Sequence, residues 1–148
     1  MAHKMRLATK PFALIEAGKK TVELRLYDEK RQKIEVGDEI VFALAEDEGR
    51  TVTRYALRLH RANSFAELYK KIPLCAMGYT EEEEKKASPL DMRAFYSAAD
   101  EEKYGVLGIE LCEDEDVKKY MTDAEAWDYV ARGVFKKYDA AFKALAKL

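Results

Sequence analysis

The side chains best equipped for chemistry in this chain sit in one short run, Gly18-Lys19-Lys20-Thr21-Val22-Glu23-Leu24-Arg25. Arg25 can grip a phosphate or carboxylate with two parallel hydrogen bonds. Lys20 can supply a point charge or, where desolvated, a base of lowered pKa. Glu23 can accept from an exocyclic amine, hold Lys20 in place, or orient a water. A cluster carrying both signs suits a nucleobase attached to a phosphate better than a bare polyanion. The plain alternative is an exposed ion-pair ladder, which contributes little.

Something must hold these residues. The run alternates, as a half-buried strand over about 21–26 requires. Val22, Leu24 and Leu26 face one way; Thr21, Glu23 and Arg25 face the other, with Lys20 at the entrance. Upstream, "TKPFALIEAGKK" reads as a helix with Thr9 or Lys10 at its cap, Pro11 in the first turn and Phe12, Leu14 and Ile15 on the apolar stripe. Gly18 stops it in the left-handed conformation. A strand "HKMRL" precedes the helix.

Downstream, a turn at Gly37-Asp38 leads into "EIVFALA", apolar enough to be buried on both faces. "EDEGR" reads as an exposed hairpin turn before the alternating strand "TVTRYALRLHRA". Short helices follow, with capping boxes at Ser64…Glu67 and Thr80…Glu83. A closing strand is expected at about 105–112. A third box, Thr122…Glu125, opens a tail in which Trp127, Val130, Val134, Tyr138, Phe142 and Leu145 recur at helical spacing. The expected organisation is therefore a domain over 1–112 and a helical extension over 113–148, docked on the domain or on a partner. The elements do not repeat as βαβ units. A small barrel or strongly curved sheet with helices over its openings accounts for them.

Bulk properties narrow the function. The 148 residues carry a net charge of −2, but residues 1–33 hold 9 Lys/Arg against 4 Asp/Glu, and residues 78–128 hold 6 against 16. A basic end of this kind can point a local positive field at a phosphate ligand. It is not the strongly basic profile of a protein held on nucleic acid by backbone charge alone. No apolar run is long enough to cross a bilayer, and no signal peptide is evident, so the expected location is cytoplasmic. Two histidines, His3 and His60, and two distant cysteines, Cys75 and Cys112, argue against a zinc site. The thiols read as free and buried. No metal and no cofactor are expected.

Gly18-x-Lys20-x-x-Glu23-x-Arg25 resembles the G-x-K-x-x-E-x-R signature of ASCH domains, the activating-signal-cointegrator homology family. The preceding helix, the Gly37-Asp38 turn before a buried strand, and the closing segment "FYS…EEKYGVLGIEL" agree with it over about residues 3–112. The resemblance implies an α+β, PUA-like small barrel, with the motif lining a cleft and nucleic acid or a nucleotide as ligand. Some small members are amidohydrolases acting on N4-acetylcytidine through a lysine and a threonine on this strand and a distant glutamate. Lys20 falls on the lysine, and Glu23 stands where those enzymes have the threonine.

Three readings follow. The first is RNA or nucleotide binding through Lys20, Thr21, Glu23 and Arg25, with Tyr27, Tyr79 and Tyr96 as aromatic partners, since unstacked bases pack on such rings. The second is a hydrolase of a modified nucleoside or of RNA, with Lys20 and Glu23 as catalytic residues. The third is a protein-interaction module whose terminal helix recruits a partner or a second copy.

Overall fold

The computed structural model describes residues 1–132, and two compact units emerge, Met1–Glu115 and Asp116–Leu148. The first unit is an α+β structure around one five-stranded sheet. Its strands are β1 (Ala2–Leu7), β2 (Val22–Leu26), β3 (Glu39–Leu44), β4 (Asp47–Ala62) and β5 (Val106–Cys112), in spatial order β1-β3-β4-β5-β2. β1 pairs with β3 in parallel; every other pairing is antiparallel. The sheet curls into a half-barrel of the PUA-like kind.

Strand order makes β1 and β2 the two edges, although only the helix α1 (Thr9–Glu16) separates them in sequence. α1 thus carries the chain from one edge of the sheet to the other. Its N-cap is Ala8, with no side-chain cap, rather than Thr9 or Lys10. Phe12 and Ile15 are fully buried against β1, β3 and β5 in a cluster that includes Phe42, Leu107 and Ile109. The Ile15 carbonyl accepts the Gly18 amide and also the Arg54 guanidinium at 3.0 Å, so a β4 side chain ties down the C-terminal end of the helix.

A second cluster forms on the opposite face of β2. Val22, Leu24 and Leu26 pack there against Phe65 and Leu68 of α2 (Phe65–Lys71) and against Met77 and Met92. β2 is therefore covered on both faces, not half-buried. The long segment between α2 and β5 has three short turns of helix: a 3-10 turn Leu74–Met77, α3 (Glu81–Glu84) and a 3-10 turn Pro89–Ala94. α4 (Ala98–Tyr104) then leads into β5. The Thr80…Glu83 box is complete, and a further box joins Ser88 and Asp91. At Ser64 the box is only half made: Glu67 turns its carboxylate to the Asn63 amide instead.

Other expectations shift. The β3–β4 turn lies at residues 45–46, and "DEGR" is already strand, paired through an irregular register at Ala43/Leu44. β3 is buried on both faces only in its second half, over Phe42, Ala43 and Leu44; in the first half Ile40 is buried, whereas Glu39 and Val41 are partly exposed. A register shift between Ala56 and Arg58 breaks the alternation of β4, so Ala56 and Leu57 are both buried. Cys112 is buried, but Cys75 is exposed. Among the described residues no helix is long and apolar enough to cross a membrane.

In the second unit the Thr122…Glu125 box is present, and residues 123–132 are helical, carrying Trp127 and Val130. Val134, Tyr138, Phe142 and Leu145 of the expected stripe lie outside the described residues.

Candidate functional site

Register explains why Glu23 is buried. β2 pairs with β5 so that Glu23 lies beside Ile109 and Arg25 beside Leu107. Both neighbours belong to the core inside the half-barrel. The polar row of β2 therefore turns inward, and Glu23 is only 5% exposed. A carboxylate in such surroundings needs partners for both oxygens. Oε1 accepts the Leu24 amide at 3.0 Å and lies 3.4 Å from Lys20 Nζ. Oε2 accepts from Arg25 Nη2 at 3.2 Å. One carboxylate thus faces two cations, leaving a net positive charge in a sheltered place.

Lys20 reaches this point because residues 18–21 are not yet strand. Gly18 sits at φ +76°, and the Lys19 and Lys20 amides both donate to the Leu14 carbonyl, folding the chain back on α1. The Thr21 amide donates to the Ala76 carbonyl, its own carbonyl accepts the Leu111 amide of β5, and the strand proper begins at Val22. Strand parity fails across this join. Lys20 swings inward, with Nζ also donating to the Met77 carbonyl at 3.1 Å, and Thr21 is left exposed.

Beside the triad is a cavity of about 340 Å³, at the small end of the range for ligand sites. Lys20, Glu23, Arg25, Tyr79 and Tyr96 all line it; Thr21 and Tyr27 do not. Tyr27 packs on the inner core, with the Arg61 guanidinium 4.0 Å above its ring. Tyr96 stacks on Phe65 at 5.7 Å, and burial raises its phenol pKa. Its neighbour Phe95, also in the lining, is 68% exposed.

α2 and the segment between it and β5 add polar groups, of which sequence reasoning named only Tyr79 for the site. Tyr69 and Tyr79 share a hydroxyl–hydroxyl hydrogen bond of 2.7 Å, and Tyr79 donates to Asp91 Oδ2 at 2.8 Å. Burial, with the bonds to Tyr69 and Asp91, pushes the Tyr79 phenol far above its ordinary range. At the rim, Lys10 Nζ of α1 donates to Glu83 Oε2 of α3 at 2.7 Å. That bond, with those from Thr80, holds the Glu83 carboxyl down at about 2. The signal for Asp91 was its place three residues after Ser88; nothing local marks Tyr69 or Lys10 as facing a cavity.

The ASCH domain family model matches residues 5–139. The chain belongs to the ASCH family. A crystal structure of the hypothetical protein PH0355 from Pyrococcus is similar to this ASCH protein at 36% identity and a TM-score of 0.63, covering 76% of this chain and 98% of the other. The solution NMR structure of protein PF0455 from Pyrococcus furiosus is similar at 34% identity and a TM-score of 0.54, covering 76% and 96%. No curated protein matches. RNA binding is the activity generally attributed to ASCH domains. Here the ASCH motif forms one wall of the cavity: Gly18 makes the turn, Lys20 and Arg25 bring the charge, and Glu23 joins them.

Proposed function

We propose that this chain binds single-stranded RNA and seats one of its nucleotides in the ASCH cavity. The observation that carries the reading is the convergence of Lys20, Glu23 and Arg25 in a sheltered cavity rather than on an open face. The two cations meet a phosphate or a base carbonyl. Glu23 keeps them extended and desolvated before the ligand arrives, which lowers the cost of ordering them. Tyr96, Tyr79 and the exposed Phe95 supply rings for base stacking. The test is fluorescence anisotropy with a labelled single-stranded RNA across a salt titration. Wild type binds with a salt-dependent affinity, and Lys20→Ala and Arg25→Ala lose it while still giving a cooperative thermal melt. Folded variants that bind like wild type at every salt concentration overturn the proposal.

A hydrolytic reading draws on the same pair, Lys20 and Glu23 at 3.4 Å. With Glu23 in place of a threonine, the pair would activate a water rather than form an acyl-enzyme. It predicts product from N4-acetylcytidine or an RNA oligonucleotide, abolished by Lys20→Ala. A chromatogram without product from either substrate removes it.

A further inference from the structure

We propose that Tyr69, Tyr79 and Asp91 form a one-way hydrogen-bond chain that leaves one cavity wall able only to accept, so that the site favours a nucleobase with an exocyclic amine over its keto counterpart. This rests on the nucleotide reading above and assigns the specificity of that site.

The direction of the chain follows from proton counting. An ionised carboxylate has no hydrogen to give. Asp91 Oδ2 takes the Ser88 amide at 3.1 Å and the Tyr79 hydroxyl at 2.8 Å, so the Tyr79 proton points at Asp91. A hydroxyl has one proton, so toward Tyr69 the Tyr79 oxygen must accept. The 2.7 Å contact between the two hydroxyls is therefore donated by Tyr69. Both phenol protons are then committed. What Tyr69, Tyr79 and Asp91 retain for a ligand is lone pairs, and all three line the cavity. Burial and its bonds raise the Tyr79 pKa, which agrees with a phenol that keeps its proton.

The β2 side of the same cavity has the opposite character, since Lys20 and Arg25 can only donate and the Glu23 carboxylate beside them is already engaged by both and by the Leu24 amide. A ligand spanning the two must place an acceptor or anion at one side and a donor at the other. The amine of cytosine or adenine satisfies an acceptor-only wall. A keto oxygen in its place meets lone pairs and loses its own water without replacement.

The experiment measures cytidine and uridine monophosphate binding by calorimetry to wild type, Tyr79→Phe, Asp91→Ala and Arg25→Ala, each checked for a cooperative melt. Wild type is expected to bind the cytidine nucleotide at least about tenfold more tightly. Tyr79→Phe frees the Tyr69 proton to donate, and the ratio falls to within about threefold. In Asp91→Ala the Tyr79 proton loses its acceptor, so one phenol proton of the pair becomes free to donate to a ligand and the preference falls; this exposed position keeps the test open if Tyr79→Phe does not fold. Equal wild-type affinities, or variants that keep the wild-type ratio, overturn the chain. If Arg25→Ala abolishes binding of both nucleotides while wild type does not discriminate, RNA binding stands and only the chain falls. If neither nucleotide binds, both fall.

Discussion

Arg25 of β2 donates through Nη2 to the backbone carbonyl of Arg6 on β1 at 3.0 Å. β1 and β2 are the two edges of the sheet and have no strand between them on the open side. The same guanidinium also contacts Glu23. One side chain therefore ties the open edges of the half-barrel together and completes the charged cluster of the cavity. Arg25→Lys keeps the charge but cannot span both partners. Its expected cost is about 1–2 kcal/mol, read as a lower midpoint in urea, with RNA affinity falling further than a change of charge alone would cause.

Glu23→Gln keeps the side-chain shape and removes the counter-charge of Lys20 and Arg25. The variant should lose about 3 kcal/mol of stability, the low end for breaking a buried charge cluster. It should bind single-stranded RNA more tightly at low salt, with the slope of log affinity against log salt steeper by about 0.7. A weaker binder with an unchanged slope would show that Glu23 contacts the ligand rather than restraining the cations.

Phe95→Ala separates binding from folding. The ring is 68% exposed, so the change in stability should stay within about 0.5 kcal/mol. Loss of one base stack should weaken RNA binding by about 1–3 kcal/mol. Anisotropy and a thermal melt on the same sample decide it.

Gly78 tests the wall behind Lys20. Its φ is +102°, and an added Cβ would lie 3.2 Å from Leu14 Cδ1 and 3.4 Å from Lys20 Cδ. Gly78→Ala should cost more than about 1 kcal/mol, because backbone strain adds to crowding. It should also weaken RNA binding by displacing Lys20.

Glu83 gives a pH dependence of known sign. Lys10 is the largest cause of its low pKa of about 2, against an ordinary 4.5. A carboxyl depressed in the folded state adds stability that is fully present above about 4.5 and is lost as the pH falls toward 2. In Lys10→Ala the Glu83 titration, followed by NMR, should move up toward 4.5, and acid unfolding between those pH values should become less steep. A Glu83 titration unmoved by the substitution would show that the rim bond does not form.

Several local signals of the sequence held where the physics is local, although the Thr9 or Lys10 cap and the complete Ser64…Glu67 box did not form. Alternation over Val22–Leu26, the left-handed stop at Gly18 and the Thr80…Glu83 box each depend on residues a few positions apart, and each is present. The spacing of the ASCH motif likewise identified the family. Long-range register was not legible. Which face of β2 turns inward depends on Glu23 meeting Ile109, a residue 86 positions away. Whether Lys20 or Thr21 joins Glu23 depends on the Leu14 and Ala76 carbonyls, which capture the backbone just before the strand begins. Tyr69, Tyr79 and Asp91 come together only because separate turns fold over the same edge strand. The sequence alone determined which groups were available and the strand that carries two of them, Glu23 and Arg25. The tertiary structure decided which of them share a cavity, because burial and hydrogen-bond partners there come from distant segments whose pairing no local pattern encodes.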